Sequence, residues 1–115
     1  MLEQPSPQAM DALAERFRLL SEPTRLRLLW LVSERERCVG DLAQELGCTQ
    51  ANVSKHLSML ADAGLLQRRR EGLHCYHMVA DPEVFVLCEA AFASVRRSAD
   101  ARAAVTSSGA APARS

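Results

Sequence analysis

Residues 49–58 carry short polar and basic side chains of the kind that can read the edges of base pairs. No acidic residue follows them until Asp62. Base pairs present hydrogen-bond donors and acceptors in the major groove, whereas the surrounding phosphates repel carboxylates. For this segment alone, an ordinary solvated helix face is the alternative. The candidate DNA contacts here are Thr49, Gln50, Ala51, Asn52, Ser54, Lys55, His56 and Ser58.

A second basic stretch follows shortly afterwards. Three consecutive arginines precede Glu71-Gly72, a turn sequence between two runs that show strand-like alternation. This pattern predicts a β-hairpin, whose arginines can reach phosphates or the minor groove. A charged edge hairpin that merely stays soluble is the alternative. We place His77 on the surface, and the candidate DNA contacts here are Arg68, Arg69, Arg70 and His74.

Four cysteines are the remaining candidates for chemistry: Cys38, Cys48, Cys75 and Cys88. None belongs to a Cys-x-x-Cys pair, so neither a zinc knuckle nor a thioredoxin-type motif is present. Because the first residues do not have the pattern of an export signal, we expect reduced thiols rather than disulfides. Cys88 falls on an apolar helix face, where a buried small hydrophobe is expected. Cys48 and Cys75 can simply fill a turn and a strand.

A predicted series of elements positions these residues: four helices, two strands and a fifth helix. Apolar residues at helical spacing place the first helix before Ser21, and the segment SEPT at 21–24 begins the second. The third helix stops at Gly47, and Thr49 caps the fourth. Two helices joined by so short a turn form a helix-turn-helix. The hairpin follows, and Asp81-Pro82 opens the last helix.

Length and composition indicate one small domain. The 115 residues, 48% of them hydrophobic, suffice for one modest core. Since 14 basic and 14 acidic residues cancel, DNA binding must depend on the distribution of charge. No apolar run is long enough to span a membrane, so we expect no membrane contact and a cytoplasmic location. The expected parts are a flexible N-terminus (1–8), a DNA-binding and dimerisation domain (9–97) and a disordered C-terminal tail (98–115).

Several segments together resemble the ArsR/SmtB family of metal- and thiol-responsive repressors. They are LSEPTRLRLL at 20–29, CVGDL at 38–42, QANVSKHLSML at 50–60, AGLL at 63–66 and RREGLHCY at 69–76. The resemblance implies a mainly α-helical winged helix-turn-helix domain with a β-hairpin wing. It also implies a homodimer formed through the first and last helices. Such a dimer binds a two-fold operator in double-stranded DNA and releases it when an inducer binds.

The resemblance leaves the inducer open, because this sequence fills the family's ligand positions incompletely. The arsenite-responsive type has two cysteines at the start of the third helix. In this chain Cys38 matches the first of them, but Gly40 replaces the second. As(III) and soft metals need two or three sulfur ligands. Cys38 would therefore have to recruit Cys48, Cys75 or Cys88 from elsewhere in the dimer.

Three other inducer types match less well. The zinc-responsive type has histidines in the last helix, whereas residues 80–97 contain none. The cadmium- and lead-responsive type has cysteines in the recognition helix, where this chain has Met59 and Ala63. The persulfide-responsive type has cysteines where this chain has Trp30 and Val95.

We therefore predict a repressor released by As(III) or a soft divalent metal, with all four cysteines as candidate ligands. A thiol-redox repressor of the same fold is one alternative. A winged-helix protein-interaction module, which would bind DNA only weakly and without salt dependence, is another. An enzyme is not expected, since no Cys/His, Ser/His or paired-carboxylate arrangement has a recognisable spacing.

Overall fold

Helices form most of the chain in the computed structural model, which describes residues 3–107. The predicted order of helices and hairpin is confirmed, with one short strand added before the third helix. In chain order the elements are α1 (Pro7–Leu20), α2 (Pro23–Glu34), β1 (Arg37–Cys38), α3 (Val39–Leu46), α4 (Gln50–Asp62), β2 (Leu66–Glu71), β3 (His74–Val79) and α5 (Pro82–Ser107).

The first two helices begin with a capping side chain followed by proline. Ser6 Oγ accepts a hydrogen bond from the Ala9 amide at 3.1 Å, and Pro7 opens α1. Glu22 caps α2 by accepting from the Arg25 amide at 2.9 Å. A proline in the first turn loses no helical hydrogen bond, because that turn has no acceptor for its amide.

β1 is the element that the sequence did not predict. It pairs antiparallel with β3, so that Arg37 lies opposite His77 and Cys38 lies opposite Tyr76. Because β3 also pairs with β2, the sheet has the strand order β1-β3-β2. A strand of two residues has no periodicity for a sequence to reveal. Its pairing connects the start of α3 directly to the hairpin.

Arg37 is a buried charge in this small strand, with a relative exposure of 6%. Its Nη2 donates to Glu34 Oε1 at 3.1 Å, and its Nη1 donates to Glu45. Its Nε has no hydrogen-bond partner among the described residues. A buried charge is tolerated only when it is paired, and this pairing joins the end of α2 to α3.

Residues 3–82 form one compact unit with a leucine-rich core. The most deeply buried residues of α3 and α4 are Leu42, Val53, Leu57 and Leu60, each 0–1% exposed. The other buried apolar residues of this unit are Leu20, Leu28, Leu29, Val32, Ala43, Leu65 and Leu66.

The two outer helices extend beyond the boundaries that the sequence predicted. α1 begins at Pro7, inside the expected flexible segment 1–8, because Ser6 caps it. α5 continues to Ser107, although the domain was expected to end at 97. The added segment contains several alanines, the residue that most favours helix; residues 108–115 lie outside the described part. None of the helices in residues 3–107 is long and apolar enough to cross a membrane.

Candidate nucleic-acid interface

Helix α4 presents a polar face whose orientation is fixed by its apolar face. Val53, Leu57 and Leu60 are buried in the core. Thr49 caps the helix, its Oγ1 accepting from the Asn52 amide at 3.1 Å. The predicted contact residues that this arrangement leaves exposed are Thr49, Gln50, Ala51, Asn52, Ser54, Lys55 and Ser58. Their exposure is the first requirement for contact with a DNA groove.

The turn between α3 and α4 depends on a glycine. Gly47 has φ 69°, in the left-handed region where a side chain is strained. The Cys48 amide then donates to the Ala43 carbonyl at 3.0 Å, which closes the end of α3. The next residue is already the α4 cap. This three-residue connection produces the predicted helix-turn-helix.

His56 departs from the predicted set because its side chain points into the protein. Only 14% of that side chain is exposed. Its Nδ1 lies 3.4 Å from Arg25 Nη1 and 3.8 Å from Glu22 Oε2. The Arg25 amide holds the pKa of Glu22 below its ordinary value by donating to that carboxylate, so Glu22 is ionised at neutral pH. His56 thus contacts the start of α2, and it is not among the exposed residues of α4.

The β2–β3 hairpin separates the three arginines onto two faces. Arg68 lies opposite His77, and Arg70 lies opposite Cys75, whereas Arg69 lies opposite Tyr76. Side chains alternate along a strand, so Arg68 and Arg70 share a face and Arg69 lies on the other. All three are exposed, as is His74 near the turn at Gly72. The predicted basic hairpin is therefore present, but its arginines are not equivalent.

His77 is buried, and the prediction that it lies on the surface is wrong. It is 6% exposed and lies in the middle strand, with Arg37 and Arg68 opposite it on either side. Its Nδ1 has no hydrogen-bond partner among the described residues. Burial is the main cause that lowers the pKa of His77; the Arg37 backbone acts in the opposite direction, and the charge of Arg68 lowers the pKa further.

Acid is expected to destabilise the folded chain through His77. Its folded pKa lies below the value of about 6.5 that it has when unfolded. The unfolded chain therefore takes up a proton first, and the free energy of unfolding falls as the pH drops below that value. Urea denaturation at several pH values should show this fall, and His77→Gln should reduce it. His74→Gln, on the exposed end of the same strand, should leave the pH dependence of unfolding unchanged. If His74→Gln reduced that dependence and His77→Gln did not, the effect would not come from His77.

The four cysteines are free thiols of intermediate exposure in four different settings. Cys38 precedes α3 and lies opposite Tyr76, so it occupies the sheet face away from Cys75. Cys48 lies in the α3–α4 turn, its Sγ 3.7 Å from the Leu46 carbonyl oxygen. Cys88 belongs to α5 and is half-buried; this burial raises the pKa of its thiol. Within the described part of the chain, no three His, Cys, Asp or Glu side chains are grouped so as to hold a metal ion.

Known proteins resemble this chain in both sequence and structure. A family model described as "Bacterial regulatory protein, arsR family" matches residues 22–68. A probable mercury resistance operon repressor of Streptomyces lividans is 40% identical over 74 residues, which are 64% of this chain and 59% of the relative. The uncharacterized HTH-type transcriptional regulator Rv0081 of Mycobacterium tuberculosis is 36% identical over 93 residues, covering 80% of this chain and 82% of the relative.

Two solved structures show the same fold. The crystal structure of Rv0081 aligns with a TM-score of 0.76 at 32% identity, over 86% of this chain and 99% of that one. A homodimeric winged helix-turn-helix DNA-binding domain from Mycobacterium bovis, Mb0332, aligns with a TM-score of 0.65 at 32% identity. That alignment covers 87% of this chain and 91% of the other. These proteins are regulators of transcription and not enzymes.

Proposed function

This chain belongs to the arsR family of bacterial regulatory proteins, and we propose that it represses transcription as a homodimer that binds a two-fold operator. The observation that carries the proposal is the exposed polar face of α4, followed in sequence by a hairpin with Arg68 and Arg70 exposed. We also propose that an inducer that binds or oxidises thiols releases the protein from DNA.

In the proposed complex, α4 lies in the major groove. Its first turns carry side chains that match base edges, and no carboxylate lies on α4 before Asp62. The hairpin extends to the adjacent backbone, where Arg68, Arg70 and His74 contact phosphates or the minor groove. Both sets contribute, since phosphate contacts position the protein and base contacts specify the sequence.

Exposed apolar residues on the outer helices support the proposed dimer. On α1, Met10, Leu13 and Phe17 are each 46–47% exposed. Along α5, Val86 and Val95 are 61% and 62% exposed. Apolar side chains in such positions suit burial against a second copy. A two-fold dimer presents its two recognition helices about one helical turn of DNA apart.

Salt dependence tests the DNA proposal. Fluorescence anisotropy with a duplex from upstream of the gene should show binding whose affinity falls steeply as salt rises, because phosphate contacts release counterions. A duplex of scrambled sequence is the control for specificity. Weak binding that salt does not change would refute the operator proposal and favour a protein-interaction module.

We propose As(III) or another soft, thiol-seeking species as the inducer, acting at Cys38. The relative named as a mercury-resistance repressor supports this class of signal. Cys38 is well placed to transmit it, because it precedes α3 and pairs with the hairpin strand β3. Further sulfur ligands would come from Cys48, Cys75 or Cys88, including those of the second copy. Oxidation of the same thiols is the alternative signal.

Cys38→Ser is expected to keep DNA binding and to lose release. Allosteric effectors commonly change affinity by about 5–150-fold, and As(III) should weaken the wild-type complex within that range. The variant should bind the duplex normally and not respond. Anisotropy with As(III), Cd(II), Zn(II) and a mild oxidant measures both properties, and Cys48→Ser, Cys75→Ser and Cys88→Ser show which other thiol the response requires. Loss of DNA binding in Cys38→Ser would instead make Cys38 structural, and an undiminished response would place the inducer site elsewhere.

A further inference from the structure

Two carboxylates and an aromatic ring hold Arg69, the middle arginine of the hairpin. Its Nη2 lies 2.6 Å from Glu36 Oε2, and its Nη1 lies 2.5 Å from Glu71 Oε2. Its Cζ lies 5.0 Å from the centroid of the Tyr76 ring, within the range of a cation–π contact. The guanidinium is thus engaged on both its edge and its face.

These contacts join strands that do not pair with each other. Glu36 immediately precedes β1, and Arg69 lies in β2, while β3 runs between them. The arginine side chain therefore spans the middle strand over Tyr76, its cross-strand partner. The contacts of Arg69 with Glu36 and Tyr76 thus add to the two residue pairs that join β1 to β3.

The local charge around Arg69 is unfavourable for a phosphate. Two carboxylates surround one guanidinium, so an approaching phosphate meets a net negative charge. The hydrogen bonds that Arg69 donates to Glu36 and Glu71 raise its pKa well above its ordinary value. By contrast, neither Arg68 nor Arg70 forms a salt bridge with any of residues 3–105. Arg69 is therefore already paired with carboxylates, whereas Arg68 and Arg70 are not.

We propose that Arg69 is a positioning residue: with Glu36, Glu71 and Tyr76 it holds the hairpin in the orientation from which Arg68 and Arg70 reach DNA. This rests on the proposed operator binding. The proposal assigns one role to Arg69 and a different role to its two neighbours, Arg68 and Arg70. An exposed ion pair does little for the stability of a fold, so its effect is expected in the orientation of the hairpin rather than in global stability.

A double-mutant cycle separates positioning from direct contact. Arg69→Ala is made in the wild type and in an Arg68→Ala/Arg70→Ala background, and operator affinity is measured by anisotropy over a range of salt concentrations. If Arg69 acts through its neighbours, its replacement weakens wild-type binding about fivefold to tenfold, a usual size for coupling within one ion-pair network. In the background that already lacks both neighbours, the same replacement has no further effect on affinity or salt slope.

Glu36→Gln supplies an independent arm, because it removes a negative charge near the DNA surface. Charge alone predicts equal or tighter binding for this variant. Positioning predicts weaker binding, similar to that of Arg69→Ala. The Glu36→Gln/Arg69→Ala double variant should then bind no more weakly than either single variant. The unfolding midpoint should change little in either single variant, since the ion pairs are exposed.

The opposite results would overturn the inference. If Arg69→Ala lowers the salt slope by about 0.9 in the background without Arg68 and Arg70, Arg69 contacts a phosphate directly. Unchanged or tighter binding by Glu36→Gln excludes the positioning role as well. Salt-independent wild-type binding refutes the proposed function itself. An Arg68→Ala/Arg70→Ala variant with the wild-type slope refutes the DNA contacts of these two arginines, and with them the positioning role of Arg69. Both results are recognisable before Arg69 is replaced.

Discussion

Replacing Ser54 with glutamate is expected to weaken operator binding by about 100-fold. Ser54 lies on the exposed face of α4, one turn after the helix begins. A carboxylate there would face base edges and phosphates, and such like-charge placement costs several kcal/mol. A loss of about 2.7 kcal/mol corresponds to 100-fold in affinity. Anisotropy with the operator duplex measures the change directly.

The fold itself should tolerate this substitution, because the site is exposed and glutamate is a better helix former than serine. Circular dichroism and thermal unfolding check that point. Gln8→Glu adds the same charge at an exposed site near the start of α1, and should leave operator affinity almost unchanged. If Ser54→Glu binds the operator with nearly wild-type affinity, α4 is not the helix that enters the groove.

Helix α4 was predictable because its signals are local. Thr49 caps α4 as expected, and Gly47 ends α3 in the left-handed conformation that the turn requires. The buried Val53 and Leu57 follow the helical spacing visible in the sequence. Each of these features depends on residues within one or two turns, where propensity and capping rules apply.

The inward orientation of two histidines was not predictable, because their neighbours are distant in sequence. His56 lies beside Arg25, 31 residues away, and only the packing of α2 against α4 brings them together. The burial of His77 depends on β1, the strand just before α3, in which Arg37 lies opposite His77. Alternation along β3 places His77 and Tyr76 on opposite faces, but it does not say which face is covered.

The roles of the three hairpin arginines also depend on neighbours that are distant in sequence. Their composition predicts a basic hairpin, and alternation alone separates Arg69 from Arg68 and Arg70. What distinguishes Arg69 further is Glu36, 33 residues earlier, together with the ring of Tyr76. A run of like charges therefore indicates a surface, whereas the role of each charge depends on tertiary neighbours.

Leu57→Ala is expected to lower the free energy of unfolding by about 2–5 kcal/mol, the usual cost of truncating a fully buried leucine. Leu57 is 1% exposed and lies on the inward face of α4. Since small domains are stable by only about 5–15 kcal/mol, much of the total would be lost. Urea denaturation followed by circular dichroism measures the change.

Met59→Ala is the matched control, because it truncates an apolar side chain of the same helix that is 38% exposed. Its cost should stay below about 1 kcal/mol. Similar small losses in both variants would mean that the inward face of α4 is not part of the core, and the orientation of its polar face would then be wrong. A large difference between them fixes that orientation independently of any DNA measurement, since the burial of Leu57 is what directs Ser54 and Lys55 outward.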